Sequence, residues 1–168
     1  MLFRSYFTVM LSFPTQAVSA GAVQVDGSLD PDDRVWLEGD QRPSDGGVKV
    51  KGRLSAAGPG RFYFSGALRG TVRAECRKCL GEVHLAVDAE SHILFADASH
   101  VDEDDPDVFP LAQGRHGTEI DLRPAVREEW LLGIPAFAEC GPECKGLCPT
   151  CGANLNQGPC TCARKSNE

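Results

Sequence analysis

Cysteine placement constrains this chain more than any other feature. Eight cysteines occur in 168 residues: six lie between Cys140 and Cys162, and two, Cys76 and Cys79, lie far upstream. The tail reads Cys140-Gly-Pro-Glu-Cys144-Lys-Gly-Leu-Cys148-Pro-Thr-Cys151-Gly-Ala-Asn-Leu-Asn-Gln-Gly-Pro-Cys160-Thr-Cys162. A segment so rich in Gly and Pro, and so poor in large apolar side chains, buries too little surface to hold itself folded. Its thiols must supply the missing cross-links.

Two residues between thiolates let the backbone curl around one metal, so Cys76-Arg-Lys-Cys79-Leu-Gly81 and Cys148-Pro-Thr-Cys151-Gly152 both read as zinc knuckles. Gly81, just past the first pair, offers a positive φ. Tetrahedral zinc takes four ligands, and eight cysteines divide into two such sets. Spacing favours Cys148, Cys151, Cys160 and Cys162 on one zinc, with Cys76, Cys79, Cys140 and Cys144 on a second. A single ribbon-like site from Cys76, Cys79, Cys148 and Cys151 is the alternative. A disulfide framework competes with both, although Cys160 and Cys162 are awkward to bridge to each other. Thiol redox chemistry at Cys76 and Cys79 would require a helix after the first cysteine, to lower its pKa; a strand pattern follows instead.

Strand alternation fills the middle of the chain. Val48, Val50 and Leu54 alternate with Lys49, Lys51 and Arg53. After the turn Gly58-Pro-Gly60, Phe62, Phe64, Leu68, Val72, Ala74 and Cys76 share one face. Val83, Leu85, Val87, Ala89, Ile93 and Phe95 repeat the pattern beyond the first knuckle. Gly66 and Gly70 suggest a bend or bulge within the long strand. Ala22–Val25 and Val35–Leu37 are further extended candidates, and an acidic loop follows the strand pattern that ends at Phe95 and runs to about Gly117. Leu122, Val126 and Trp130 recur at helical spacing, with Asp121 as N-cap, Pro124 in the first turn and an end near Gly133. The expected class is α+β: an antiparallel β-meander or small barrel-like sheet, one packed C-terminal helix, and a cysteine-rich zinc-binding tail. The boundaries expected are an extension at 1–19, sheet plus helix at 20–135, and the tail at 136–168.

Residues 6–13 and Ala17–Ala20 resemble a secretory signal peptide. Thr8 and Ser12 interrupt the apolar run, however, and a single Arg4 precedes it. Met10 offers an internal start, which makes residues 1–9 an upstream extension. No segment approaches the ~18 apolar residues of a membrane span.

The formal charge is -7, from 17 basic and 24 acidic residues, which argues against a generic binder of phosphate backbones. Asp88 to Asp107 holds eight carboxylates and no Lys or Arg. Such a run is ordinarily a solvated loop; its centre, Asp102, Glu103, Asp104 and Asp105, also suits docking of a cationic partner. Arg69, Arg73, Arg77 and Lys78 form a local basic stripe along the first knuckle's strand, and Lys145, Arg164 and Lys165 add charge to the tail. His84, His92, His100 and His116 lack motif spacing, no phosphate-loop or nucleophile-elbow motif is present, and no residue is assigned a catalytic role. Closed Cys₄ sites are structural, because they leave no coordination position for water.

Several motifs together resemble the YceD family, the large ribosomal RNA subunit accumulation proteins. These are the Cys76-x-x-Cys79-Leu knuckle, the acidic loop, Ile120-Asp-Leu122 leading into Val126-Arg-Glu-Glu-Trp-Leu-Leu-Gly-Ile-Pro135, and the tail from Cys144 through Asn156 to Cys160-x-Cys162. The resemblance covers about residues 20–163. It implies a cytoplasmic, non-enzymatic ribosome-biogenesis protein needed for accumulation of large-subunit (23S) rRNA. It implies partners in the pre-ribosomal large subunit, whether 23S rRNA or a basic large-subunit ribosomal protein, with no membrane and no small-molecule substrate. A zinc-dependent adaptor or chaperone for such a ribosomal protein is the competing role.

Overall fold

Alternation of apolar and polar side chains builds a five-stranded sheet in a computed structural model that describes residues 11–44, 46–97, 99, 107–115 and 117–164. Its strands are β2 (Val23–Leu29), β3 (Val48–Ala56), β4 (Arg61–Glu75), β5 (Glu82–Ala96) and β6 (Val108–Pro110), in spatial order β2-β3-β4-β5-β6. The pairs β2–β3, β3–β4 and β4–β5 are antiparallel, as a meander requires. The sheet stays open, however, and β6 returns parallel to β5, so it is neither barrel-like nor purely antiparallel. A second sheet, order β1-β8-β7, joins β1 (Ser12–Pro14), β7 (Ala112–Gly114) and β8 (Gly117–Asp121). Part of the stretch expected as acidic loop is therefore strand.

Two α-helices occur among the described residues where one was expected. The short α1 (Thr15–Ala20) lies in the stretch that resembled a signal peptide, and it buries Val18. Beside it Leu11 is also buried, and its carbonyl accepts the Leu122 N–H at 2.8 Å. The other helix, α2 (Arg123–Gly133), buries the expected stripe of Leu122, Val126 and Trp130 completely. Asp121 does not cap it: the N-cap is Leu122, and Asp121 closes a turn one residue earlier by accepting the Arg123 N–H at 3.0 Å.

The core side of the sheet carries Val48, Val50, Leu54, Phe64, Leu68, Val72, Ile93 and Phe95, all essentially inaccessible. Burial of each such side chain contributes roughly 1.5–3 kcal/mol. Gly66 and Gly70 produce no bulge, because the β3–β4 and β4–β5 registers run unbroken past both. They make room instead. A Cβ at Gly66 would lie 2.7 Å from the Phe64 ring, and one at Gly70 would lie 2.8 Å from the Trp130 indole.

Residues 30–44, read in part as a strand at Val35–Leu37, form a strap of turns across α2. Trp36 is buried and donates through Nε1 to the Asp30 carbonyl at 2.8 Å. Trp130 Nε1 donates to the Gln41 carbonyl at 2.8 Å, and Arg127 holds Asp40 through two bonds of 2.6 and 2.9 Å. Arg123 reaches Asp33 at 3.6 Å. The Arg127 guanidinium and the Leu37 N–H hold the Asp40 carboxyl below its ordinary 3.8.

Replacement of Gly70 by Ala should destabilise the protein by about 1–3 kcal/mol, since a buried indole must shift; urea unfolding followed by Trp fluorescence measures it. Asp40 has a depressed folded-state pKa, so its contribution is present above its unfolded value of 3.8 and lost as pH falls through the lower folded value. Relative to Asp40→Asn, the wild type should keep a constant stability advantage above about pH 5 and lose it in acid. Thermal melts of both proteins from neutral pH downwards check the sign.

Candidate metal centre

The β4–β5 hairpin delivers the first knuckle. Glu75 pairs with Glu82, and Cys76 to Gly81 make the connection. The Cys76 N–H donates to the Gly81 carbonyl and the Leu80 N–H to the Cys76 carbonyl, both at 2.8 Å. The same bracket recurs in the tail, where the Cys148 N–H donates to Ala153 and the Gly152 N–H to Cys148, again at 2.8 Å. The residue just after the second cysteine is left-handed in each, with φ of 57° at Leu80 and 71° at Gly152. Gly81 therefore does not supply the positive φ expected of it; Leu80 does, although a side chain opposes that conformation.

All eight cysteines are free, and their sulfurs gather in two groups of four: Cys76, Cys79, Cys140 and Cys144; and Cys148, Cys151, Cys160 and Cys162. Within each group the sulfurs lie within 4.8 Å of one another. These are the two groups that spacing favoured, and no single ribbon-like set forms from Cys76, Cys79, Cys148 and Cys151. Four sulfurs placed about 2.3 Å from a central zinc would be about 3.8 Å apart along each tetrahedral edge. Cys76–Cys144 and Cys79–Cys140 are both 3.8 Å apart. The first group thus fits a tetrahedral thiophilic ion by donor type, number and spacing, and the second by donor type and number.

Backbone dipoles polarise both groups. The Cys79 N–H, aided by those of Cys140 and Lys78 and opposed by burial, brings the Cys76 thiol down to about 6. Cys151 and Thr150 N–H groups do the same for Cys148, also to about 6. Their neighbours move the other way: Cys140 beside Cys144, and Cys162 beside Cys151, are each pushed up to about 12. A metal ion would displace those protons, so its affinity should fall in acid.

The first group is long-range and the second local. In the first Cys76 and Cys79 are buried and Cys140 exposed; in the second Cys148 is buried and Cys151 exposed. Around the first, the Arg77 N–H donates to the Ala138 carbonyl at 2.9 Å and the Leu147 N–H to the Lys78 carbonyl at 3.0 Å. Asn156 links the groups: its Oδ1 accepts the Lys145 N–H at 2.8 Å, while its Nδ2 faces Cys144 Sγ at 3.5 Å and holds that thiol's pKa down. Nothing about its spacing marks Asn156 in the sequence.

The basic stripe is largely paired. Arg77 and Lys78 share Glu139, at 2.7 and 2.8 Å, and Arg77 also lies over the Phe137 ring at 4.9 Å. Arg69 pairs with Asp88 at 3.1 Å. Arg73 and Lys145 are exposed. Asp102, Glu103, Asp104, Asp105, His100, His116, Lys165 and residues 1–10 lie outside the described residues, as does the side chain of Arg164.

A helix-backed sheet whose hairpin tip and tail gather two cysteine quartets defines the class of this molecule. The model of the family "Large ribosomal RNA subunit accumulation protein YceD" matches residues 64–168, which include both quartets, and the chain belongs to that family. Two curated proteins named "Large ribosomal RNA subunit accumulation protein YCED homolog 1, chloroplastic" are similar to it. The Zea mays protein is 48% identical over 63 residues, covering 37% of this chain and 20% of its own. The Arabidopsis thaliana protein is 42% identical over 50 residues, covering 30% and 16%. The matched stretch is thus a fifth or less of the length of these relatives. No solved structure matches the chain. No helix among the described residues is long and apolar enough to cross a membrane.

Leu80→Gly should stabilise the protein by about 1 kcal/mol by relieving the left-handed backbone, and Gly152→Leu should do the opposite. Paired denaturation curves, taken with the thiols kept reduced and the metal content matched, check both signs.

Proposed function

We propose that the chain is a non-catalytic, cytoplasmic ribosome-biogenesis factor that supports accumulation of large-subunit (23S) rRNA, with two structural zinc ions. The family match over residues 64–168 carries this reading. Cys76, Cys79, Cys140 and Cys144 would hold one zinc, and Cys148, Cys151, Cys160 and Cys162 the other. Four thiolates close the coordination sphere, so zinc here supplies cross-links rather than a Lewis acid. The first zinc would fasten the tail (136–168) to the hairpin tip of the sheet-and-helix body (20–135). Direct partners are 23S rRNA within the pre-ribosomal large subunit or a basic large-subunit ribosomal protein. The eight carboxylates between Asp88 and Asp107 favour the second reading, a zinc-dependent adaptor for such a protein.

Loss of the gene should lower large-subunit RNA relative to small-subunit RNA; an unchanged ratio at both low and high growth temperature overturns the proposal. Pull-down after nuclease treatment separates the two readings, because an adaptor keeps its protein partner without RNA. Native mass spectrometry should find two zinc ions per chain. Cys79→Ser should deprotect the β4–β5 tip in hydrogen exchange as well as the tail, whereas Cys162→Ser should deprotect the tail alone. Equal effects of the two substitutions would contradict the division into a long-range and a local site.

A further inference from the structure

The outward face of the central sheet is unlike the rest of this acidic protein. Side chains pointing away from the core on β3 are Lys49, Lys51 and Arg53, all exposed. Register sets Lys49 beside Arg69, Lys51 beside Ala67 and Arg53 beside Ser65 on β4. Asp26 neutralises Lys51 at 3.3 Å and Asp88 neutralises Arg69. Among the described residues, Lys49, Arg53 and Arg61 have no carboxylate within ion-pair distance, and Glu90 marks the acidic border on β5.

An aromatic pair sits within this basic field. Tyr63 is 37% exposed, its hydroxyl lies 2.8 Å from His92 Nδ1, and the two rings are within 15° of parallel. Register places His92 opposite Ser65, which is itself opposite Arg53. Register sets Ser55 on one side of Tyr63 and the half-buried Leu94 on the other, with Ser65 next along β4, so small side chains border the ring towards β3. Unpaired cations along one strand with exposed rings on the next are the two elements of single-strand recognition: charge follows the phosphates, and rings stack on bases without demanding a sequence.

From this juxtaposition we infer that the outward face of β3, β4 and β5 is a contact surface for single-stranded RNA. Lys49, Arg53 and Arg61 track the backbone, and Tyr63, braced by His92, is a stacking platform. The inference rests on the ribosomal RNA reading above and deepens it. It places direct RNA contact in the middle of the sheet and not on the knuckle stripe, where Arg77 and Lys78 are held by Glu139.

The test is fluorescence anisotropy of a labelled single-stranded oligouridine with the full, zinc-loaded chain, titrated from about 50 mM salt upwards. Lys49→Gln/Arg53→Gln should reduce the slope of log affinity against log salt by about 1.4, or 0.7 for each phosphate left without its cation. Tyr63→Ala should weaken binding about tenfold with little change in that slope, while Tyr63→Phe, which keeps the ring, should bind as the wild type does. Arg34→Gln, on the strap over α2, should leave both quantities unchanged. All four variants alter exposed positions, and matching melting temperatures confirm that each is folded. Absence of wild-type binding at about 50 mM salt, equal affinity for a duplex of the same length, or an Arg34→Gln effect as large as that of the double variant would each overturn the inference. Failure here with an altered RNA ratio in the deletion strain leaves the ribosomal reading standing; an unchanged ratio removes that reading itself.

Discussion

The unbroken antiparallel pairing of β4 with β5, from Arg61 opposite Ala96 to Glu75 opposite Glu82, governs the rest of this molecule. With no bulge, side chains keep strict alternation along two 15-residue strands. One face is therefore apolar along its length except at the buried Ser91 and receives α2, while the other carries the strands' charged side chains. The same regularity fixes the end of the hairpin, so Cys76 and Cys79 emerge at a defined height and orientation. A slip of one residue would turn Cys76 to the opposite face and dissolve the first quartet.

Glycine keeps that pairing compatible with close packing. Gly70 lets the Trp130 indole lie directly against β4, and the strap then satisfies the indole N–H through Gln41. A buried Trp without that carbonyl would carry an uncompensated desolvation of its donor, on the order of 1–3 kcal/mol. The Arg127–Asp40 pair fixes the same strap at the next turn of the helix. Helix, strap and sheet thus form one packed unit, and Ile134 to Glu139 leave it already aligned towards the hairpin tip, where Ala138 accepts the Arg77 N–H.

Much of this is legible from residue patterns, for physical reasons that differ by element. Alternation on β3, β4 and β5 and the Leu122/Val126/Trp130 stripe are readable because burial selects alternate residues of the strands and one face of the helix. The two cysteine groups are readable because thiols at knuckle spacing have few other uses. Features that depend on distant partners are not. Nothing local says that β6 joins β5 in parallel, that residues 12–14 pair with β8, or that the strap crosses α2. Gly66 and Gly70 mimic a bulge because sequence reports the missing side chain but not the ring that occupies its space. Leu80 in a left-handed conformation is hidden because Gly81, the residue suited to that role, stands next to it.

The two quartets differ in one further respect. Cys148 and Cys162 are joined by a short stretch of chain, whereas Cys79 and Cys140 are 61 residues apart. Closing the longer loop loses more chain entropy, by about 1 kcal/mol on logarithmic scaling, and must await formation of the sheet and α2 between its ends. The tail group can gather as soon as its own residues exist. Since Asn156 of that local turn reaches Cys144, a tail group closed first would present a ready-made wall to the other, and assembly by that route would run from the C-terminal end back into the body.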